Sequence, residues 1–126
     1  MTLKGLIARD RVRATAEWAD TNPNMDGMPD GSSHWQVTLR RRGRQLTVPF
    51  SMGPAHSREP NAEDVLECLL SDASGADQDF ESWAADLGFD VDSRRAERTY
   101  KAVQALTRNL QRLLAEDFEA YLYADR

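Results

Sequence analysis

Four arginines surround a single glycine in the first half of the chain and form its densest positive charge. Guanidinium groups donate hydrogen bonds to phosphate and carboxylate groups, so this cluster could contact nucleic acid or an acidic protein surface. Charged residues at a sheet edge also protect it against pairing with other strands, and the sequence leaves both interpretations open. Because exposed charges contribute little stability, we expect replacement of all four arginines by serine to leave folding intact. The four residues are Arg40, Arg41, Arg42 and Arg44.

A second charged group lies near the C-terminal end of the sequence, where carboxylates stand among aromatic residues. Such a mixture could bind a basic partner, although a solvated helix end has the same composition. We therefore treat both charged groups as candidate partner-binding residues. The second group comprises Glu116, Asp117, Glu119, Tyr121 and Tyr123.

No set of residues in the sequence has the spacing of a catalytic or metal site. His56 has Ser51 and Ser57 as its nearest candidate partners, but no nucleophile elbow or acidic third member is identifiable. His34 fits the start of a strand, and Cys68 fits a small core or boundary position in a helix. Two histidines and one cysteine make a zinc site a poor interpretation. We predict no catalytic residue, no cofactor and no metal, and therefore a protein that is not an enzyme.

The charge is divided unevenly along the 126 residues. Positions 1–58 hold nine Lys/Arg and five Asp/Glu, a net charge of +4, and positions 59–126 hold seven and sixteen, a net charge of −9. An uneven division of charge affects which partners a protein binds rather than its fold. The acidic helical half could resemble nucleic-acid phosphate in its negative charge.

Length and composition favour one globular domain inside a reducing cell. A hydrophobic fraction of 40% and a charged fraction of 29% are ordinary for a folded protein. The single cysteine excludes an internal disulfide. The sequence contains neither an apolar run long enough for a bilayer nor a signal-peptide pattern, so we expect no membrane contact and a cytoplasmic location.

The first half of the sequence predicts a three-stranded antiparallel sheet. Apolar residues alternate on both sides of Gly43, with Trp35, Val37 and Leu39 facing the core, which predicts a hairpin with a turn over 41–44. Pro49 cannot donate to a ladder and so marks an edge strand. A third strand is predicted over 6–18 in preference to a helix, followed by a surface loop over 21–33.

The second half predicts about three helices, the last one long. The first begins near Asn61, and the second runs from an Asp79 cap to a stop at Gly88. The third is predicted without interruption from Asp92 to Tyr123, because no Gly or Pro breaks its apolar stripe. That stripe could also support a coiled-coil contact, although packing on the chain's own sheet fits better. The predicted fold is a single α+β domain, with a sheet half over 1–50, a connecting loop over 51–60 and a helical half over 61–126.

Three stretches resemble a family of small proteins encoded by bacteriophages and prophages. They are HWQVTLRRRGRQLTVPFSMGPAH, DVLECLLSDASG and FESWAADLGFDVDSRRAERTYKA, and the resemblance covers roughly residues 34–105. It brings no catalytic motif. It implies an inhibitor of host defence, including the anti-CRISPR type, which acts in a bacterial cytoplasm as a monomer or homodimer. The implied partner is a host protein or ribonucleoprotein complex that handles nucleic acid.

Direct nucleic-acid binding through the arginine-rich turn is the alternative function. The net charge of −5 argues against it, although a local basic patch would suffice for binding.

Overall fold

The computed structural model describes residues 1–19, 33–52 and 58–125. The predicted loop over 21–33 lies outside these ranges except for Ser33, and so do His56 and Ser57. The elements in chain order are α1 (Leu3–Asp10), β1 (Arg13–Ala19), β2 (Ser33–Arg41), β3 (Arg44–Met52), α2 (Ala62–Ser74), α3 (Phe80–Asp86), α4 (Arg94–Leu114), a 3-10 turn (Ala115–Asp117) and α5 (Phe118–Leu122).

The predicted three-stranded antiparallel sheet is confirmed, with strand order β1-β2-β3. Val37 and Leu39 on the central strand are fully buried, because alternation in the strand turns them toward the helical layer. The turn consists of Arg42 and Gly43, both with positive φ, as a tight two-residue hairpin requires. β3 is an edge strand, which is where a proline such as Pro49 is tolerated.

The prediction of one strand over 6–18 is wrong, because its first part belongs to helix α1. Thr2 caps this helix by accepting a hydrogen bond from the Gly5 N–H at 3.0 Å. Leu3, Leu6 and Asp10 lie on one buried face, at the i, i+3, i+7 spacing of a helix. Arg11 then takes a left-handed conformation with φ 54° and turns the chain into β1.

Helices α2 and α3 agree with the sequence prediction. Asn61 and Asp64 form a reciprocal capping box at the start of α2. Asp79 caps α3 by accepting from the Ser82 N–H at 2.8 Å. Gly88, with φ 75°, ends α3, and the Phe89 N–H donates back to the Ala84 carbonyl at 2.8 Å.

The prediction that the last helix is long is confirmed by α4, which has 21 residues, but its predicted continuity to Tyr123 is wrong. α4 ends at Leu114, Ala115 adopts φ 51°, and a 3-10 turn leads into α5. The cause is tertiary: the carbonyl groups of the last α4 turn accept hydrogen bonds from the arginines of the hairpin instead of continuing the helix.

The core lies between the inner face of the sheet and helices α1, α2, α4 and α5. Its largest fully buried side chains are Tyr121, Leu3, Leu6, Leu39, Leu66, Leu70, Leu110, Leu113, Leu114, Val37 and Val65. Within the three described ranges, no helix is long and apolar enough to cross a membrane.

Candidate functional site

Arg41 is the centre of a buried polar network that joins the hairpin to both ends of the described chain. Its side chain is 2% exposed, and its Nε donates to Asp10 Oδ2 at 3.2 Å. Its Nη1 donates to the carbonyl oxygens of Leu113 and Leu114, each at 3.1 Å. Its Nη2 contacts the carboxylates of Asp117 and Asp10. Four guanidinium N–H groups therefore donate hydrogen bonds, and Nη2 also lies 3.1 Å from Asp10 Oδ2 as an ion pair.

Asp10 and Tyr121 complete the buried part of this network. The Tyr121 hydroxyl lies 2.8 Å from Asp10 Oδ2 and 3.1 Å from the Leu6 carbonyl oxygen, so its one proton is shared between two acceptors. Hydrogen bonds from Arg9, and then from Tyr121 and Arg41, lower the pKa of Asp10 although burial opposes the shift. Burial, reinforced by the neighbouring Asp10 carboxylate, raises the pKa of Tyr121.

The outer part of the network is half-exposed, and its arginines and carboxylates bring the net charge of the network to zero. Arg42 Nη2 lies 3.1 Å from Asp10 Oδ1, and Arg42 Nη1 lies 3.5 Å from Asp117 and 3.6 Å from Glu116. Arg9 Nε lies 2.9 Å from Asp10 Oδ1. We call these residues together the Arg41 network: Arg9, Asp10, Arg41, Arg42, Glu116, Asp117 and Tyr121.

The structure thus pairs the two charged groups that the sequence presented as separate surfaces. The expectation that all four turn arginines are exposed is wrong for Arg41, because the alternation that buries Val37 and Leu39 also turns residue 41 inward. The expectation that serine at all four positions leaves folding intact therefore no longer holds. Tyr121 is likewise fully buried, so neither side chain is accessible to a partner. The candidates that remain exposed are Arg40, Arg42, Arg44, Glu116, Glu119 and Tyr123.

The sequence contained signals for this network that its interpretation missed. Asp10 occupies the apolar face of α1, where a carboxylate needs a cationic or hydrogen-bonding partner. Arg41 continues the inward series of alternate strand residues. A carboxylate and a guanidinium that both point toward the core are each a reason to look for the other.

A second feature is an acidic segment over α2 and α3 that no basic residue interrupts. The net charges of the two halves of the sequence did not reveal it. Positions 59–93 contain eleven Asp/Glu and no Lys or Arg, and the sign changes at Arg94. Nine of these carboxylate residues are exposed, and among the described residues only Asp64 forms an ion pair, with Arg58. We call these nine exposed residues together the acidic face: Glu59, Glu67, Asp72, Asp77, Asp79, Glu81, Asp86, Asp90 and Asp92.

Aromatic packing holds this face rigidly against α4. Trp83 is buried, and its ring stacks on Phe89 with centroids 5.3 Å apart and meets Tyr100 at 5.1 Å. The Tyr100 hydroxyl donates to the Gln78 carbonyl at 2.5 Å. Beside this cluster, Leu87 and Val91 are 60% and 44% exposed. Two exposed apolar side chains therefore stand next to Asp86, Asp90 and Asp92 in the chain, beside the aromatic cluster.

The residues considered for chemistry lie apart from both features. His34 Nδ1 lies 2.9 Å from Ser51 Oγ across β2 and β3, whereas the sequence had suggested Ser51 as a partner of His56. Cys68 is exposed on α2, so of its two expected positions, core or boundary, the core position is wrong. Partial burial and the nearby Asp72 and Glu67 raise the pKa of its thiol, which disfavours the reactive thiolate. No group of three metal-ligating side chains occurs within 1–19, 33–52 and 58–125.

No protein-family profile, curated protein or solved structure gives a significant match to this chain.

Proposed function

We propose that this chain is a non-catalytic inhibitor of the anti-CRISPR type, encoded by a bacteriophage or other mobile element. Its acidic face would occupy a positively charged surface that a host protein or ribonucleoprotein complex uses to bind nucleic acid. The site of action would be the cytoplasm of a bacterial host. The proposal assigns binding, and no chemical step, to the protein.

The observation that carries the proposal is the acidic face together with the exposed apolar side chains Leu87 and Val91. Exposed carboxylates without ion-pair partners in the described residues produce a strong negative potential, which steers association with a basic surface. Leu87 and Val91 supply the apolar area that a protein interface buries at its centre. Because a nucleic-acid-binding groove is basic at its phosphate contacts, it fits the charge of this face.

The experiment is a plaque assay in bacterial hosts whose CRISPR systems target the infecting phage. We expect expression of the chain to restore plaque formation, and the purified chain to displace target DNA from the purified effector complex. The double variant Glu81→Lys/Asp86→Lys should lose both effects, because it reverses charge beside Leu87. Neither of these side chains makes an ion pair in the described part of the chain.

The matched control is Glu119→Lys/Asp125→Lys, which changes the net charge equally at exposed C-terminal positions outside the Arg41 network. If the control variant loses inhibition and the α3 variant retains it, the C-terminal carboxylates are the contact and our assignment to the acidic face fails. Absence of any effect of the wild-type chain on the CRISPR types tested would contradict the anti-CRISPR proposal.

The outer face of the sheet supports the second candidate function, direct binding of nucleic acid. Arg13 and Arg40 are exposed cross-strand neighbours, and neither forms an ion pair within the described ranges. Like charges directly opposite each other favour a bound anion between them. Salt-sensitive retention of the wild-type chain on single-stranded DNA or RNA, lost in Arg13→Ser/Arg40→Ser, would favour this function over inhibition.

A further inference from the structure

The free edge of β3 presents backbone groups that the sheet leaves unpaired. In a two-residue hairpin, Arg41 and Arg44 form the hydrogen-bonded pair that closes the turn, so every second residue of β3 bonds to β2. The N–H and C=O groups of Gln45 and Thr47 consequently point away from β2. β3 has no other neighbouring strand, and the described residues give these groups no backbone partner.

A cleft of about 670 Å³ lies along this edge, between β3 and the C-terminal part of α4. Buried Leu46 and Leu113 contribute its apolar lining. The cleft thus offers open strand-pairing groups on one side and a helix on the other. Its lining residues are Arg44, Gln45, Leu46, Thr47, Asn109, Arg112 and Leu113.

Two arginines give the cleft a positive charge. Arg44 Nη1 donates to the Arg112 carbonyl at 2.7 Å, which fixes one arginine at the helix side of the edge. Arg112 Nη1 lies 3.2 Å from Asn109 Oδ1. Each guanidinium retains further N–H donors, and no carboxylate of the described residues lies within ion-pair distance of either.

We infer that the free edge of β3 is a strand-addition site for an extended peptide segment of a partner protein, with acidic side chains at alternate positions. The backbone of the segment would pair with Gln45 and Thr47, and its acidic side chains would face Arg44 and Arg112 on the α4 side. Pro49 ends the site because it offers no N–H to the segment.

Charge selects this occupant over a second copy of the chain. A β3-to-β3 pairing would bring two positively charged edges together, with Arg44 and Arg112 from both copies at one interface, and like charges at an interface are unfavourable. It would also place Pro49 in a ladder that needs its missing donor. An acidic peptide avoids both difficulties. This surface is separate from the acidic face, so the inference does not depend on the proposed function.

The experiment is selection from a displayed library of random peptides, followed by binding and amide-exchange measurements with the enriched peptides. We expect enrichment of sequences with Asp or Glu at alternate positions, and slower exchange of the Gln45 and Thr47 amides on binding. N-methylation of the peptide amides that face β3, which are every second residue, should weaken binding by about tenfold. N-methylation of the alternate amides should leave the affinity unchanged. This test needs no change to the protein.

Arg112→Glu should abolish selection of acidic peptides, and Arg108→Glu, one helical turn away and outside the cleft, should retain it. The inference is overturned if no alternating acidic peptide is enriched, or if N-methylation of neither set of peptide amides weakens binding. It is also overturned if the Gln45 and Thr47 amides are protected in the free protein and lose protection on dilution, since a second copy would then occupy the edge.

Discussion

Arg41 connects the charged hairpin turn to the helices through buried hydrogen bonds and ion pairs. Burial of a guanidinium is costly unless every donor is satisfied, and here two carboxylates and two helix carbonyls provide the acceptors. The guanidinium carbon also lies 5.8 Å from the ring centroid of Tyr121, within the range of a cation–π contact. The positive charge of Arg41 therefore interacts with groups of the chain itself and is not available to a partner.

Replacement of Arg41 by methionine should lower the free energy of unfolding by about 3–5 kcal/mol, because it leaves Asp10 buried with fewer cationic partners. Arg40→Met is the control, since Arg40 is exposed and should change stability by less than about 0.5 kcal/mol. Urea denaturation of both variants measures the difference. Equal stability of the two variants would contradict a structural role for Arg41.

The stability of the chain should fall at both acidic and alkaline pH. The pKa of Asp10 is lower in the folded state than its unfolded value near 4, so the unfolded chain binds more protons below about pH 5 and stability falls as pH decreases. The pKa of Tyr121 is raised above about 10, so the unfolded chain loses its proton first and stability falls as pH increases.

Urea unfolding at a series of acidic to alkaline pH values measures the free energy of unfolding on both sides of its maximum, which we call the acidic and the alkaline limb. Tyr121→Phe should lose part of the alkaline limb, and Tyr123→Phe, whose ring is exposed, should keep it. An alkaline limb that is the same in both variants would exclude Tyr121 as its source.

At the scale of elements, the end of α4 depends on the hairpin. Carbonyl groups in the last helical turn lack intrahelical partners, and Arg41 and Arg44 donate to those of residues 112–114. The chain then turns through Ala115, whose positive φ is unfavourable for any residue with a Cβ. The turn carries Asp117 and Tyr121 into the Arg41 network.

Ala115→Gly should raise the free energy of unfolding by up to about 1 kcal/mol, because glycine adopts positive φ without steric strain. Ala102→Gly is the matched control in an exposed position within α4, and it should lower stability by about 1 kcal/mol. Thermal denaturation of the two variants should give shifts of opposite sign. A loss of stability in both would show that residue 115 continues the helix in solution.

Local pattern predicted the elements whose determinants are local. Alternation around Gly43, the Asn61 cap and the Gly88 stop predicted the hairpin, α2 and α3, and all three are confirmed. The break at Ala115 has no local signal, because its cause is a pair of guanidinium groups about seventy positions away in the chain. α1 was missed since Leu6 and Ala8 begin an alternating apolar pattern that continues into β1.

The candidate site was predicted less completely, for a related reason. Composition indicated which residues carry charge. A cluster of like charges is available to a partner only where no oppositely charged residue of the chain packs against it. The carboxylates of Asp10 and Asp117 fold onto the turn arginines, whereas no cation of the described chain forms an ion pair with the acidic face. Segment-by-segment counting of charge would have found 59–93, and only the tertiary structure identifies which of its members are exposed.

At the scale of the whole molecule, the network links segments distant in sequence into one folding unit. α1 contacts the C-terminal end of the described chain through the Leu3 N–H, which donates to the Asp125 carbonyl at 2.9 Å. Tyr121 reaches α1 through Leu6 and Asp10, and Arg41 holds α1 and α5 together from the hairpin. The sheet, α1 and α5 should therefore open together rather than one by one.

Amide hydrogen exchange tests this coupling. In Arg41→Met, amides of α1 and α5 should lose protection together, because both elements lose the cation that joins them, and α3 should retain its protection through the Trp83 and Tyr100 cluster. Arg40→Met should leave all three elements unchanged. If loss of protection in Arg41→Met were confined to the hairpin, α1 and α5 would be held by their apolar contacts alone. The Arg41 network would then be a local feature of the turn and not the joint between the two ends of the fold.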